Sequence, residues 1–177
     1  METKIAILTP FFENPAESFH IREVAKRTGI SHTAVRKHLA ALYGEGYLLI
    51  KKEKPYNAYK ANASSKKFCN LKLYYNLEKL RESGLIEQLE RRYDYPCIVL
   101  FGSYAKAYDD EKSDIDICLI SEVKKETDVK NYQKILHRPV SMHLFDARQW
   151  EEAKKKNPDL INSICNGIVL SGQLEVV

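Results

Sequence analysis

Along the first sixty residues the apolar positions recur at helical spacing. Ile5, Leu8, Phe11 and Phe12 predict a first helix, which Asn14-Pro15 stops. Ser18 is expected to cap a second helix that turns Ile21, Val24 and Ala25 to one side and ends at Gly29. Ser31 is expected to cap a third, with Val35, Leu39 and Leu42 facing inward and Gly44 closing it. The period then shortens. Residues 46–50 read as a strand, 51–57 as a turn and 58–60 as a return strand.

Residues 64–93 return to helical spacing, broken at Ser83-Gly84, with Tyr74, Leu77, Leu80, Leu85, Ile86 and Leu89 as apolar positions. This segment reads as a stiff joint between domains and as the expected surface of a homodimer. Beyond Pro96 strands and helices alternate. Residues 97–101, 114–120, 139–145 and 167–170 predict strands, while 127–137, 146–156 and a short stretch opened by Asn157-Pro158 predict helices. The expected fold class is α+β, with domains at 1–63, 64–93 and 94–177. No internal repeat is present in the sequence.

In the first domain, three short helices with a tight turn at Gly29 precede a hairpin, the pattern of a winged helix-turn-helix. The third helix carries Ser31, His32, Thr33, Arg36 and Lys37 on its outer side, short polar and cationic groups suited to base edges and phosphates. The hairpin tip adds Lys51, Lys52 and Lys54, with Tyr56 and Asn57, where a wing meets the adjacent backbone. Residues 21–62 resemble winged-helix transcriptional regulators of bacteria and archaea. That resemblance implies double-stranded DNA as a partner, met by a two-fold dimer.

In the C-terminal domain one run stands out: Phe101-Gly102-Ser103-Tyr104-Ala105-Lys106-Ala107-Tyr108-Asp109-Asp110-Glu111-Lys112-Ser113-Asp114-Ile115-Asp116-Ile117. Gly102 lets the backbone come close to a phosphate. Ser103, with the N–H groups of a helix expected to open after it, can bind a triphosphate. Asp114 and Asp116 alternate with Ile115 and Ile117, so both carboxylates leave the strand from one face. Such a pair suits a hard divalent cation, above all Mg²⁺ carrying phosphates. An acidic wet face on any half-buried strand would also give Asp-x-Asp, and the Gly-Ser turn is what makes the combination specific.

This run resembles the signature of the polymerase-beta-like nucleotidyltransferase superfamily, closest to its minimal prokaryotic members, over about residues 94–172. The resemblance implies a nucleotidyltransferase fold, a mixed β-sheet flanked by helices. It further implies Asp114 and Asp116 as ligands of Mg²⁺ (or Mn²⁺), Gly102 and Ser103 as the loop that binds a nucleoside triphosphate, and nucleoside monophosphate transfer. Two departures stand out. Ala107 occupies a position usually held by Gly, and Ser141 stands where a third carboxylate is usual. His143, on the same face as Ser141, is the candidate base, with a half-buried structural histidine as the alternative. Asp146 is expected to cap the following helix rather than act in the site.

Charge and composition narrow the field only a little. The 177 residues are 44% hydrophobic and 29% charged, with a net charge of +4, ordinary values for a globular chain. No apolar run approaches the roughly 20 residues of a membrane helix, and the first residues lack a signal-peptide pattern, so a cytoplasmic location without membrane contact is expected. Cys69, Cys97, Cys118 and Cys165 are too dispersed for a zinc site or a disulfide framework, and Cys97 and Cys118 read as small hydrophobes. Lys124-Lys125 and Lys154-Lys155-Lys156 read as solvated faces, Trp150, Tyr74 and Tyr75 as packing residues.

Three functions fit these features. One is a Mg²⁺-dependent nucleotidyltransferase directed or regulated by its DNA-binding domain, with a small helical protein as a partner implied by the family resemblance. Another is a winged-helix regulator whose second domain senses nucleotide or metal without chemistry. The third is a scaffold that only mimics both folds.

Overall fold

Helix α1 (Glu2–Glu13) buries Leu8, Phe11 and Phe12 as their spacing predicts, with Ile7 fully buried where Ile5 was expected and Ile5 only half-buried. This computed structural model describes residues 2–123, 125 and 127–175. Ser18 does not cap the second helix. With Phe19 it forms the short strand β1 (Ser18–Phe19), paired with Lys60 and Tyr59, because the returning strand offers its extended backbone partners there. His20 takes the position before α2 (Ile21–Thr28), and its backbone N–H donates to Glu23 Oε2 at 2.6 Å. Gly29 ends α2 in the left-handed region (φ 68°), a conformation that glycine adopts without strain.

Ser31 caps α3 (His32–Gly44) by accepting from the Ala34 N–H at 3.3 Å. Strands β2 (Leu48–Lys51) and β3 (Ala58–Ala61) pair antiparallel, and the small sheet has the order β1-β3-β2. Helices and sheet close over one core that includes Phe11, Phe12, Phe19, Leu39, Leu48 and Phe68. Edge-to-face stacking of Phe11 on Phe19, with ring centroids 5.2 Å apart, joins α1 to the sheet.

Two compact units make up the chain, Met1–Tyr75 and Asn76–Val177, and the last two residues of the second are not among those described. The division falls inside α4 (Lys66–Glu82), so residues 64–93 are not a separate joint. Leu80, Leu85, Ile86 and Leu89, on α4 and α5 (Leu85–Arg92), lie in the core of the second unit. Of the apolar positions of this segment, those four are interior, Leu77 is partly buried and Tyr74 is exposed.

The second unit is built on strands β4 (Cys97–Phe101), β5 (Ile115–Ile120), β6 (Val140–Phe145) and β7 (Ile168–Ser171), in the order β6-β5-β4-β7. β5 and β6 run parallel, and the other pairs are antiparallel, giving the mixed sheet. Alternation along each strand divides its side chains between two cores. Ile98, Leu100, Ile115, Ile117 and Leu119 face α5, with Leu136 of α6 (Lys130–Leu136). Val99, Phe101 and Cys118 face Trp150 of α7 (Ala147–Lys156) and Ile161 and Ile164 of α8 (Pro158–Cys165). The architecture is α+β with helices on both faces of the sheet.

Cysteine chemistry is quiet. Burial pushes the Cys118 thiol up to about 12 and raises Cys97, so neither is a ready nucleophile. Lys154 and Lys156 pair with Glu151 and Glu152 on their own helix, as a solvated face would, whereas Lys124 lies outside the described residues. No helix of the described residues is long and apolar enough to cross a membrane.

Among the glycines of this unit, Gly167 comes nearest to another stretch of backbone. A Cβ there would lie 2.5 Å from the Leu100 carbonyl oxygen and 2.8 Å from Val99 Cγ1. Gly167→Ala should therefore destabilise the protein by about 1–3 kcal/mol. Gly44→Ala, at the end of α3 with open space around it, should stabilise by up to about 1 kcal/mol. Denaturant unfolding of both variants checks the contrast.

Candidate functional site

The candidate site begins where β4 runs out. Phe101 pairs with Asp116 across β4 and β5, and Gly102 follows with φ +74°. A Cβ on Gly102 would lie 2.2 Å from Asp116 Oδ2, inside any tolerable contact. Only glycine lets the turn and the carboxylate come this close, and its positive φ would strain any other residue as well.

Ser103 starts a single 3₁₀ turn, Tyr104–Lys106, and not an α-helix. The expected row of helix N–H groups is therefore absent from this turn, which leaves the Ser103 side chain and the backbone of the turn itself. The turn ends at Ala107 in the left-handed region (φ 57°). That conformation costs an L-residue about 1–2 kcal/mol, which a glycine would avoid. The strain at Ala107 is tolerated.

Asp114 is exposed and lies one residue before β5, so of the two carboxylates expected on the strand only the half-buried Asp116 is on it. Burial raises the Asp116 pKa above its ordinary value, and the neighbouring Asp114 charge adds to that, while His143 opposes it. In the parallel pairing of β5 and β6, Asp116 stands beside Ser141 and Cys118 beside His143. Ser141 Oγ lies 3.4 Å from His143 Nε2, and the imidazole packs edge-on to Phe101 with ring centroids 5.3 Å apart. Gly102, Asp116, Ser141 and His143 thus gather at one end of the sheet. Asp146 is not among them, because its carboxylate accepts from the Gln149 N–H at 2.8 Å and caps α7.

A buried polar network lies behind the turn. Asp109 is wholly inaccessible, and its Oδ1 accepts from Asn76 Nδ2 at 2.9 Å. Arg138 Nη2 lies 3.1 Å from Asp109 Oδ2. Asn76 and Arg138 are 33 and 29 residues away in sequence, on elements whose packing no local pattern reveals.

On the first unit, Ser31, His32, Thr33, Arg36 and Lys37 are all exposed along the start of α3, and Lys51, Lys52 and Lys54 are exposed on the hairpin. Between them opens a cleft of about 510 Å³ lined by residues that include His20, Arg22, His32, Arg36, Lys54 and Tyr56. His20 ties the hairpin to α2, with Nε2 3.3 Å from Glu53 Oε2 and Nδ1 3.3 Å from the Asn57 carbonyl oxygen.

Comparison with known families matches the chain to "Polymerase beta, Nucleotidyltransferase" over residues 84–173, just over half of its length. The chain belongs to that nucleotidyltransferase family. The match covers α5, all four strands of the large sheet and the Gly102–Asp116 run. No curated protein matches the chain. A solved structure, that of Pseudomonas aeruginosa HmgR, shares 17% identity over 58% of this chain with a TM-score of 0.37. The aligned part is 41% of that structure's own length, and the likeness is too slight to bear on fold or function.

The electrostatics of this nucleotidyltransferase domain predict a pH effect. A carboxyl whose folded pKa is raised holds its proton more tightly in the folded state than in the unfolded chain. Its contribution to stability is complete below the ordinary aspartate value of 3.8 and is lost as pH rises through the higher folded value. Asp116→Asn should remove that loss, raising Tm at neutral pH and flattening its fall above pH 3.8. Thermal scans of both proteins across the acid range check it, and a lower Tm for the variant at neutral pH would count against burial as the main influence on Asp116.

Proposed function

We propose that this protein is a Mg²⁺-dependent nucleotidyltransferase joined to a DNA-binding winged helix. The observation that carries the catalytic half is the approach of the Asp116 carboxylate to the Gly102 turn, closer than any side chain at 102 would permit. Asp116 against the Gly102 turn, with the Asp114 charge acting on it, is a donor set that fits Mg²⁺, which commonly takes one or two carboxylates and completes its shell with phosphates and water. Among the described residues no group of three or more His, Cys, Asp and Glu gathers at metal-holding distance, so the protein's share is Asp114 and Asp116.

In this proposal the Gly102 backbone and the Ser103 hydroxyl hold the triphosphate. The metal supplies neutralisation of phosphate charge and activation of the acceptor hydroxyl. His143, steadied by Phe101 and Ser141, accepts the proton as the acceptor oxygen bonds to the α-phosphorus and pyrophosphate departs.

Ser141 beside Asp116 favours a second reading, in which the domain binds nucleotide or metal as a sensor and the winged helix acts as a regulator. Incubation with labelled nucleoside triphosphates and Mg²⁺ separates the two. Catalysis predicts label incorporation or pyrophosphate release, abolished in Asp114→Ala/Asp116→Ala and reduced about 10²- to 10⁴-fold in His143→Ala. Binding without either product identifies a sensor.

For the first unit we propose binding of double-stranded DNA by a homodimer, with α3 in the major groove and the hairpin lysines on the backbone. The exposure of all eight named side chains on α3 and the hairpin supports this. Affinity for genomic fragments should fall steeply with salt. Arg36→Ala should weaken it by about 1–3 kcal/mol if that side chain reads a base. Mobility-shift titrations at several salt concentrations provide the measurement, and unchanged binding by the variant would remove α3 as the reader.

A further inference from the structure

The loop between the two halves of the candidate site is held from inside. Residues 108–113 join the 3₁₀ turn after Ser103 to Asp114, and such connections ordinarily pair their polar groups with solvent. Here Asp109 is turned inward to zero exposure. Asn76 Nδ2 donates to Asp109 Oδ1 at 2.9 Å and to the Tyr104 carbonyl at 3.0 Å, and the Tyr104 hydroxyl donates back to the Asn76 carbonyl at 3.2 Å. The largely buried Arg138 guanidinium meets Asp109 Oδ2 at 3.1 Å. It also donates to the carbonyls of Asp110 and Ser113, and it lies over the Tyr104 ring at 5.4 Å.

The placement of these bonds gives them meaning. Tyr104 directly follows Ser103, and Ser113 directly precedes Asp114. One guanidinium therefore reaches within a residue of both the phosphate turn and the exposed carboxylate. Arg138 also sits at the mouth of β6, where Pro139 accepts the Ile115 N–H at 2.9 Å, so the same residue joins the loop to the sheet that carries Asp116. A buried ion pair contributes little net stability compared with apolar side chains of similar volume, since desolvation offsets its attraction. What the fork of Arg138 supplies is a fixed geometry at several carbonyls at once.

We infer that Arg138 and Asp109 are positioning residues that set the separation between the Ser103 turn and Asp114, and so couple triphosphate binding to metal binding. This rests on the proposal that the site takes a metal–triphosphate. A merely structural pair would weaken binding with and without metal alike. A positioning pair makes the metal's contribution depend on it.

The test is calorimetry of the full chain with each common ribonucleoside triphosphate, in the presence and absence of Mg²⁺. Wild type is compared with Arg138→Lys, which keeps the charge and loses the fork, and with the neutral pair Asp109→Asn/Arg138→Met. Positioning predicts that the Mg²⁺-dependent gain in affinity shrinks roughly tenfold in both variants, while affinity without metal changes less than twofold. An undiminished gain in a folded variant overturns the inference and leaves the parent proposal standing. Equal losses with and without metal also overturn it and assign the pair to structure alone. If the neutral pair fails to fold, Arg138→Lys decides. No binding to wild type at all would overturn the parent proposal and this inference together.

Discussion

One steric constraint organises the C-terminal half: the Asp116 carboxylate occupies the space where a side chain at position 102 would have to be. Satisfying it requires a glycine at the end of a buried strand, a left-handed turn, and a neighbouring strand whose wet-face residue stands opposite Phe101. The sheet supplies the rest. Its apolar alternation keeps Ile115 and Ile117 in one core and Val99, Phe101 and Cys118 in the other. The strand ends are thereby fixed, and the polar positions 114, 116, 141 and 143 fall on one side.

This constraint also explains a tension in the site. Burying half of a carboxylate raises its pKa and disfavours its charged form. In the proposed function a bound cation would offset that cost. The strained left-handed Ala107 lies in the same turn. Strain at Ala107 and desolvation of Asp116 thus fall at the two ends of the segment that joins β4 to β5.

Much of this was legible in the sequence, for identifiable reasons. Long apolar strands such as 97–101 and the helical spacing of Leu85, Ile86 and Leu89 survive into the fold because burial enforces them. The family to which the run from Gly102 to Asp116 belongs was readable because its residues are close in sequence. Ser18 misled because the bond that claims its backbone comes from Lys60, 42 residues away. The helix expected after Ser103 shrank to one turn, since the following loop is drawn inward by Asp109 instead of continuing outward as a helix. Arg138 and Asn76 carried no local signal at all, because their roles exist only once α4, the loop and β6 are packed together.

The central claim is that the Gly102 turn and the two aspartates grip a metal-bound triphosphate. The most direct measurement is titration calorimetry of Gly102→Ala beside the unaltered protein, using magnesium or manganese with each common triphosphate. The account predicts saturable heat from the unaltered protein and none from the variant, whose new methyl group must displace Asp116. Equal heats from both, or no heat from the unaltered protein, would contradict it.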